Sequence, residues 1–262
     1  MTLITILPGV IFTDPTLSIL YKDANINAGT LFAYDIDSSS YIPQINPVNS
    51  GVWNDLTYNN NNASFSIATP NSVAFSNGFA FNPVAINNYL TLPSSGKATA
   101  NQDGFLYILW IKPTGASVNA YSSIAGCAQG TGNIQWSIDN GAANSGYYRI
   151  LGPGGVGIYT FLPAINSINQ IAIAVKLNNS TGFYQVTVYA NGLQIYTGTT
   201  ALTAIPQPSA TSPIVGWVSG FTVGAQFTLY RLLGYNTSVF ADMAAITTQV
   251  AADYAANSGR FS

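Results

Sequence analysis

Apolar residues along this chain fall mostly in short runs, several with a period of two, broken by Gly, Pro and Asn, the pattern of strands joined by turns. Gly104 to Lys112 is a nearly continuous apolar run ended by Pro113, which predicts a strand covered on both faces. Asn133 to Ile138 alternates and runs into Asp139-Asn140-Gly141, which reads as a turn. Tyr147 to Leu151, Gly157 to Phe161 and Ile168 to Leu177 follow at short spacing. The sharpest local signal spans Phe183 to Tyr196, where two alternating segments meet at Asn191-Gly192, the positive-φ pair that a type I′ hairpin turn requires. Leu202 to Pro213 holds three prolines and reads as a loop. At the C-terminus the period becomes helical: Met243, Ile246, Val250 and Tyr254 form one apolar stripe, with Ser238 as candidate N-cap, Asp242 near the positive helix end and Gly259 just past the last turn. The pattern predicts an all-β antiparallel sandwich or barrel with one short C-terminal helix.

Composition then narrows the chemistry. The chain has 262 residues, no His, and nine acids, all of them Asp; only 6% of it is charged and its net charge is −2. Its length suits one large all-β unit. Without His there is no imidazole base, relay or metal ligand. The basic residues are scattered singly, so no stripe exists to neutralise phosphates, and nucleic acid is excluded as a partner. The single Cys127 has no partner for a disulfide and reads as a small core residue. Met1 to Phe12 lacks the basic start of a signal peptide, and no apolar run is long enough to span a membrane.

Three stretches, taken in order, resemble the concanavalin A-like, laminin G-type jelly roll. The first is Trp53-Asn54-Asp55-Leu56, then Ala63-Ser64-Phe65, then Gly78-Phe79-Ala80-Phe81 leading to Asn88-Tyr89-Leu90-Thr91-Leu92-Pro93; Asn82-Pro83 stands where a Gly is usual. The second is the hairpin Val188-Tyr189-Ala190-Asn191-Gly192, and the third runs from Ile214-Val215-Gly216 through Phe227 to Asn236 and the helix. The resemblance implies a jelly-roll domain over residues 31–262 and a habit of binding sugars or proteins at loop rims, without transferring an active site. Residues 1–30 lie outside it. Their apolar side chains, Leu3, Ile4, Ile6, Leu7, Val10, Ile11 and Phe12, must be buried. They form either a further strand of this chain's own sandwich or an arm that docks on a neighbouring subunit, and docking is the favoured reading because the family-like core begins near Leu31.

Few residues carry candidate chemistry. Asp35-Ile36-Asp37 places two carboxylates on one strand face, as a glycosidase requires, although the following serines favour a strand end or turn. Calcium is conceivable at Asp139 or Asp103, but Asp beside Gly and Asn ordinarily caps a turn, and no cofactor is expected. Trp53, Trp110 and Trp136 sit in strand contexts and read as packing. Trp217, Tyr147 and Tyr148 flank Gly-rich loops and are the candidate ligand-binding aromatics, with burial the plainer reading of each. Adjacent tyrosines in a strand point to opposite faces, so one of the pair faces outward. These features favour a non-enzymatic, oligomeric virion protein of a tailed phage, decorating capsid or tail and exposed after lysis, with adhesion to host-surface glycans compatible with that role. The alternative is a carbohydrate-binding lectin or receptor-binding module, and the third is an Asp-based glycoside hydrolase.

Overall fold

The computed structural model describes residues 23–36, 51–57, 59–66, 74–75, 77–81, 89–97, 103–114, 122–128, 133–140, 147–155, 157–161, 163–206, 212–218, 221 and 223–261. The apolar stretch from Leu3 to Phe12 and the second candidate carboxylate, Asp37, lie outside these residues. Among the described residues two sheets face each other, one of eight strands and one of nine. Among the described residues the pairings are antiparallel except for Val223–Gly224, which runs parallel to Ser122 and Ser123. This is the all-β sandwich with a short C-terminal α-helix that the sequence pattern predicts.

The eight-stranded sheet runs in the order Leu193–Thr199, Phe183–Ala190, Asn169–Asn178, Gly104–Pro113, Phe227–Asn236; beyond it, Thr30–Asp35 and Phe79–Phe81 share the far edge of Phe227–Asn236, and Ala74–Phe75 closes the sheet. The unbroken apolar run of Gly104–Pro113 is explained by its central place, since one face meets the core and the other meets the helix Met243–Asn257. The hairpin turns at Asn191 (φ 51°) and Gly192 (φ 78°), as its sequence demands. Its register shifts between Val188 and Tyr189, so the strands part by one residue close to the turn.

The nine-stranded sheet runs Gly157–Phe161, Tyr148–Leu151, Ile134–Asn140, Ser122–Ala128, Ile214–Gly216, Tyr89–Thr91, Ala63–Phe65, Val52–Trp53, with Val223–Gly224 beside Ser122–Ala128. Ile134–Asn140 extends through Asp139 and Asn140, two residues into the expected turn, because both still pair with neighbours on either side. Asp139 is therefore a buried strand residue and not a turn cap.

Aromatic rings fill the space between the sheets. Phe32 stacks on Tyr34 at 5.2 Å, Tyr34 meets Trp53 at 5.3 Å, Trp53 meets Phe79 at 4.6 Å, and Tyr107 stacks on Trp136 at 4.3 Å. Each such pair adds about 0.5–1.5 kcal/mol to plain burial. Gly234 is required here, since a Cβ on it would lie 2.4 Å from the Phe32 ring. Cys127 is buried, and that burial pushes its thiol up to about 12, as suits an inert core residue.

The helix begins one turn later than its candidate cap. Thr237–Val239 forms a 3-10 turn whose cap is Asn236, and Asp242, not Ser238, accepts the Ala245 N–H at 2.8 Å to start Met243–Asn257. Its buried stripe is Ile246, Val250, Asp253 and Asn257, with Met243 and Tyr254 half-buried beside it. Among the described residues, no helix is long and apolar enough to cross a membrane.

Candidate functional site

Charged groups gather at two places, one on the outward face of each sheet. On the eight-stranded sheet, Gln170, Trp110, Arg231 and Asp35 stand side by side across four strands, and the helix lowers Asp253 onto them. Asp253 accepts Trp110 Nε1–H at 2.7 Å, Gln170 Nε2–H at 2.9 Å and Arg231 Nε–H at 3.0 Å. Arg231, wholly buried, also binds Asp23 at 2.7 Å and Asp35 at 2.5 Å, and Arg260 closes on Asp35 at 3.1 Å. Burial works against the Arg231 charge, but Asp253, Asp23 and Asp35 outweigh it and raise its pKa. Burial likewise opposes the Asp23 charge, and Arg231 overcomes it, holding that carboxyl below its ordinary value.

This network answers the question posed by Asp35. Its carboxylate is 1% exposed and bound by two arginines, so it is a structural anion at the end of its strand and has no open face for a glycosidic bond. Asn25 and Ile26 are buried and Asp23 reaches Arg231, so the segment just before Leu31 packs on the sandwich. Asp55, in the Trp53-Asn54-Asp55-Leu56 motif, is also spoken for: its carboxylate accepts from Ala33 N, Thr57 N and Asn61 N at 2.9–3.1 Å and from the Thr57 hydroxyl. It pins the Asn-rich turn to the first strand.

The second place is the outward face of the nine-stranded sheet. Ser123, Asp139 and Arg149 occupy adjacent strands in register. Arg149 clasps Asp139 with Nε at 3.0 Å and Nη2 at 3.2 Å, a two-point fork. Asp139 is fully buried while the Arg149 side chain is 27% exposed. Burial pushes the Asp139 carboxyl up, only partly offset by Arg149. Ser137, two residues before Asp139 on the same face, lies close enough to favour its charge but closes no well-aligned hydrogen bond.

The sequence-predicted aromatics lie on this same sheet but divide between its core and its margin. Tyr147, two residues before Arg149, is 44% exposed, whereas Tyr148 turns into the core, the division that adjacent positions on a pleated strand impose. Trp217 follows Ile214–Gly216 and is half-buried; its Nε1–H donates to the Phe221 carbonyl at 3.1 Å and its ring lies 6.4 Å from that of Tyr89. Ser123 fastens the Trp217 turn to the sheet, donating to the Gly216 carbonyl at 2.8 Å and accepting from Val218 N at 2.9 Å. With strands about 4.8 Å apart, Trp217 and Arg149 lie roughly 14 Å apart across the sheet. Beside them, Ala128, Ile134, Leu151 and Val218 form a small second core. Trp53, Trp110 and Trp136 are all buried packing residues.

The arrangement brings Tyr147 and Trp217 to one rim and leaves Tyr148 out of it. Arg149 was legible only as a lone cation two residues after Tyr147, and Asp139, ten residues earlier, gave no spacing signal for the fork. Asp103 immediately precedes the strand Gly104–Pro113, and its carbonyl accepts Leu177 N–H at 2.6 Å. Among the described residues no group of three or more acidic or Cys ligands could hold a metal ion.

No protein-family model matches the sequence, and no curated protein matches it. Solved structures do resemble the fold. The receptor-binding domain of botulinum neurotoxin type G matches with a TM-score of 0.57 at 13% identity, over 87% of this chain and 51% of that one. Trypanosoma rangeli sialidase in complex with sialic acid matches with a TM-score of 0.59 at 14% identity, over 88% of this chain and 34% of that one. Domain 4 of an extracellular arabinanase from Geobacillus stearothermophilus, in complex with arabinotriose, matches with a TM-score of 0.55 at 16% identity, over 87% of this chain and 98% of that one. The chain thus spans about half of the toxin domain and about a third of the sialidase, but nearly all of the arabinanase domain. What these likenesses establish is the fold, a β-sandwich of the type seen in a toxin's receptor-binding domain and a sugar-bound arabinanase domain.

Proposed function

We propose that this chain is a carbohydrate-binding module that recognises a glycan at the Tyr147–Arg149 rim of the nine-stranded sheet and carries out no reaction of its own. The observation that carries the reading is the exposed Tyr147 ring just before the strand Tyr148–Leu151 that bears Arg149, whose guanidinium is held in place by a buried Asp139. An aromatic face packs on the C–H face of a sugar, and a fixed guanidinium donates to hydroxyl oxygens; neither needs an acid or a base. Supporting it, the chain has the extent of one domain that was found holding arabinotriose. The removal of Asp35 from any reactive role leaves the hydrolase reading without its first carboxylate.

The test is a glycan array probed with the full chain on a multivalent carrier, with arabinotriose as a soluble competitor. Binding that is weakened in Tyr147→Ala supports the proposal; no binding to any glycan contradicts it. Placement on a virion exterior, through the stretch from Leu3 to Phe12, is a further part of the proposal that rests on sequence alone. It would turn weak single sites into firm attachment. Fixed copy number in purified particles supports that placement, and recovery only as a free cytosolic monomer contradicts it.

A further inference from the structure

The charge arrangement says what kind of glycan such a rim accepts. The chain contains three arginines, Arg149, Arg231 and Arg260, and each is held by an aspartate. Arg231 and Arg260 sit with Asp35 on the other sheet, remote from the rim. Arg149 spends its Nε and Nη2 fork, one of the two edges that suit a carboxylate or sulfate, on Asp139. Asp139 is fully buried, so it cannot swing away to make room for a ligand anion. A second anion at Arg149 would meet like-charge repulsion from Asp139 across a poorly solvated face.

We infer that the Tyr147–Arg149–Asp139 surface takes a neutral sugar, one offering hydroxyls and no carboxylate, sulfate or phosphate, and that Asp139 is the residue that enforces this choice. The inference rests on the carbohydrate-binding reading. A hydroxyl-bearing sugar loses little by desolvation, accepts from Arg149 and stacks on Tyr147, and it leaves the Arg149–Asp139 pair intact. Because the pair is neutral as a unit, binding should depend weakly on ionic strength.

The experiment is native affinity electrophoresis of the full chain through gels containing neutral polysaccharides (arabinan, galactomannan) or acidic ones (polygalacturonate, heparin), at low and high salt (about 50 and about 500 mM NaCl). A sialyllactose-bearing carrier provides the sialylated case. The expected result is retardation in a neutral gel that changes by less than about twofold with salt, and none in the acidic gels. Tyr147→Ala should weaken the neutral interaction by about three- to tenfold. Asp139→Asn, which keeps the shape and frees the Arg149 fork, should gain salt-sensitive retention in polygalacturonate or heparin. If Asp139→Asn does not fold, the salt series on the unaltered chain and the Tyr147→Ala variant decide. Salt-sensitive binding of the unaltered chain to an acidic polymer or to sialyllactose overturns the inference while leaving carbohydrate binding standing. Retention by neither class, with a blank glycan array, overturns both.

Discussion

Arg231 and Arg149 each hold an Asp across the outward face of a sheet, but Arg231 is sealed beneath a helix with three carboxylates, whereas Arg149 clasps Asp139 and borders solvent. The sealed site joins parts of the chain that are distant in sequence: Asp23 lies 208 residues from Arg231 and Asp35 lies 196 residues away. It acts as a clamp between the N-terminal strand, the last strand and the helix. The open site is local, its partners ten residues apart on adjoining strands. The same ion pair is thus architecture in one place and, on the proposed reading, a fixed donor for a ligand in the other, and the difference is made by what covers it.

The largest effect that separates the two should come from Arg231→Met. It leaves Asp23, Asp35 and Asp253 without their common cation, so denaturant unfolding should show a loss of about 3–5 kcal/mol. A loss below about 1 kcal/mol would mean that the clamp is not buried as described. Gly192→Ala should come next. It puts a Cβ at φ 78° and 2.9 Å from the Tyr254 side chain, where helix and hairpin meet. A cost of about 1–3 kcal/mol in thermal or chemical unfolding is expected, and a neutral result would place the helix farther from the hairpin.

The two sites also differ in the sign of their pH dependence. Asp23 is held below its unfolded value of 3.8, so its stabilising contribution is complete above that pH and is lost as the pH falls through its folded value. Asp139 is raised above 3.8, so it costs stability at higher pH, and that cost disappears as the pH falls through its raised value. Stability profiles of Asp23→Asn and Asp139→Asn should therefore depart from the parent in opposite senses: the first flattening the acid limb, the second relieving a penalty above it. Parallel profiles would contradict the contrast. The smallest effect belongs to Leu193→Lys, at a residue 70% exposed on the hairpin. It should change unfolding free energy by less than about 0.5 kcal/mol.

How far the sequence exposes this architecture depends on the range of each interaction. Asn191-Gly192 announces its turn because the positive φ angles are a local demand, and Gly104–Pro113 announces its burial because both of its faces are apolar. Ile246 and Val250 mark the helix through their four-residue spacing on one face. Asp139-Asn140 mislead, since their turn-like composition is overridden by pairing to Tyr148 and Arg149 on the next strand. Ser238 misleads in a similar way, because Asn236 captures its N–H at 3.0 Å and diverts the chain into a 3-10 turn before Asp242 starts the helix. Asp253 sits in an apolar stripe, and nothing near it in sequence points to Arg231, Trp110 and Gln170. At the rim, Tyr147 and Trp217 were legible as aromatics beside glycine-rich loops, while the Arg149–Asp139 fork depends on strand register and was not.

The central claim, that a neutral glycan binds at the open ion pair and not over the sealed one, is tested most directly by amide chemical-shift mapping of the full chain titrated with neutral oligosaccharides. The account predicts that shifts gather at Asp139, Tyr147, Tyr148 and Arg149, with those of the helix Met243–Asn257 unmoved. Shifts confined to the helix and its clamp, or no shifts at saturating sugar, would contradict it.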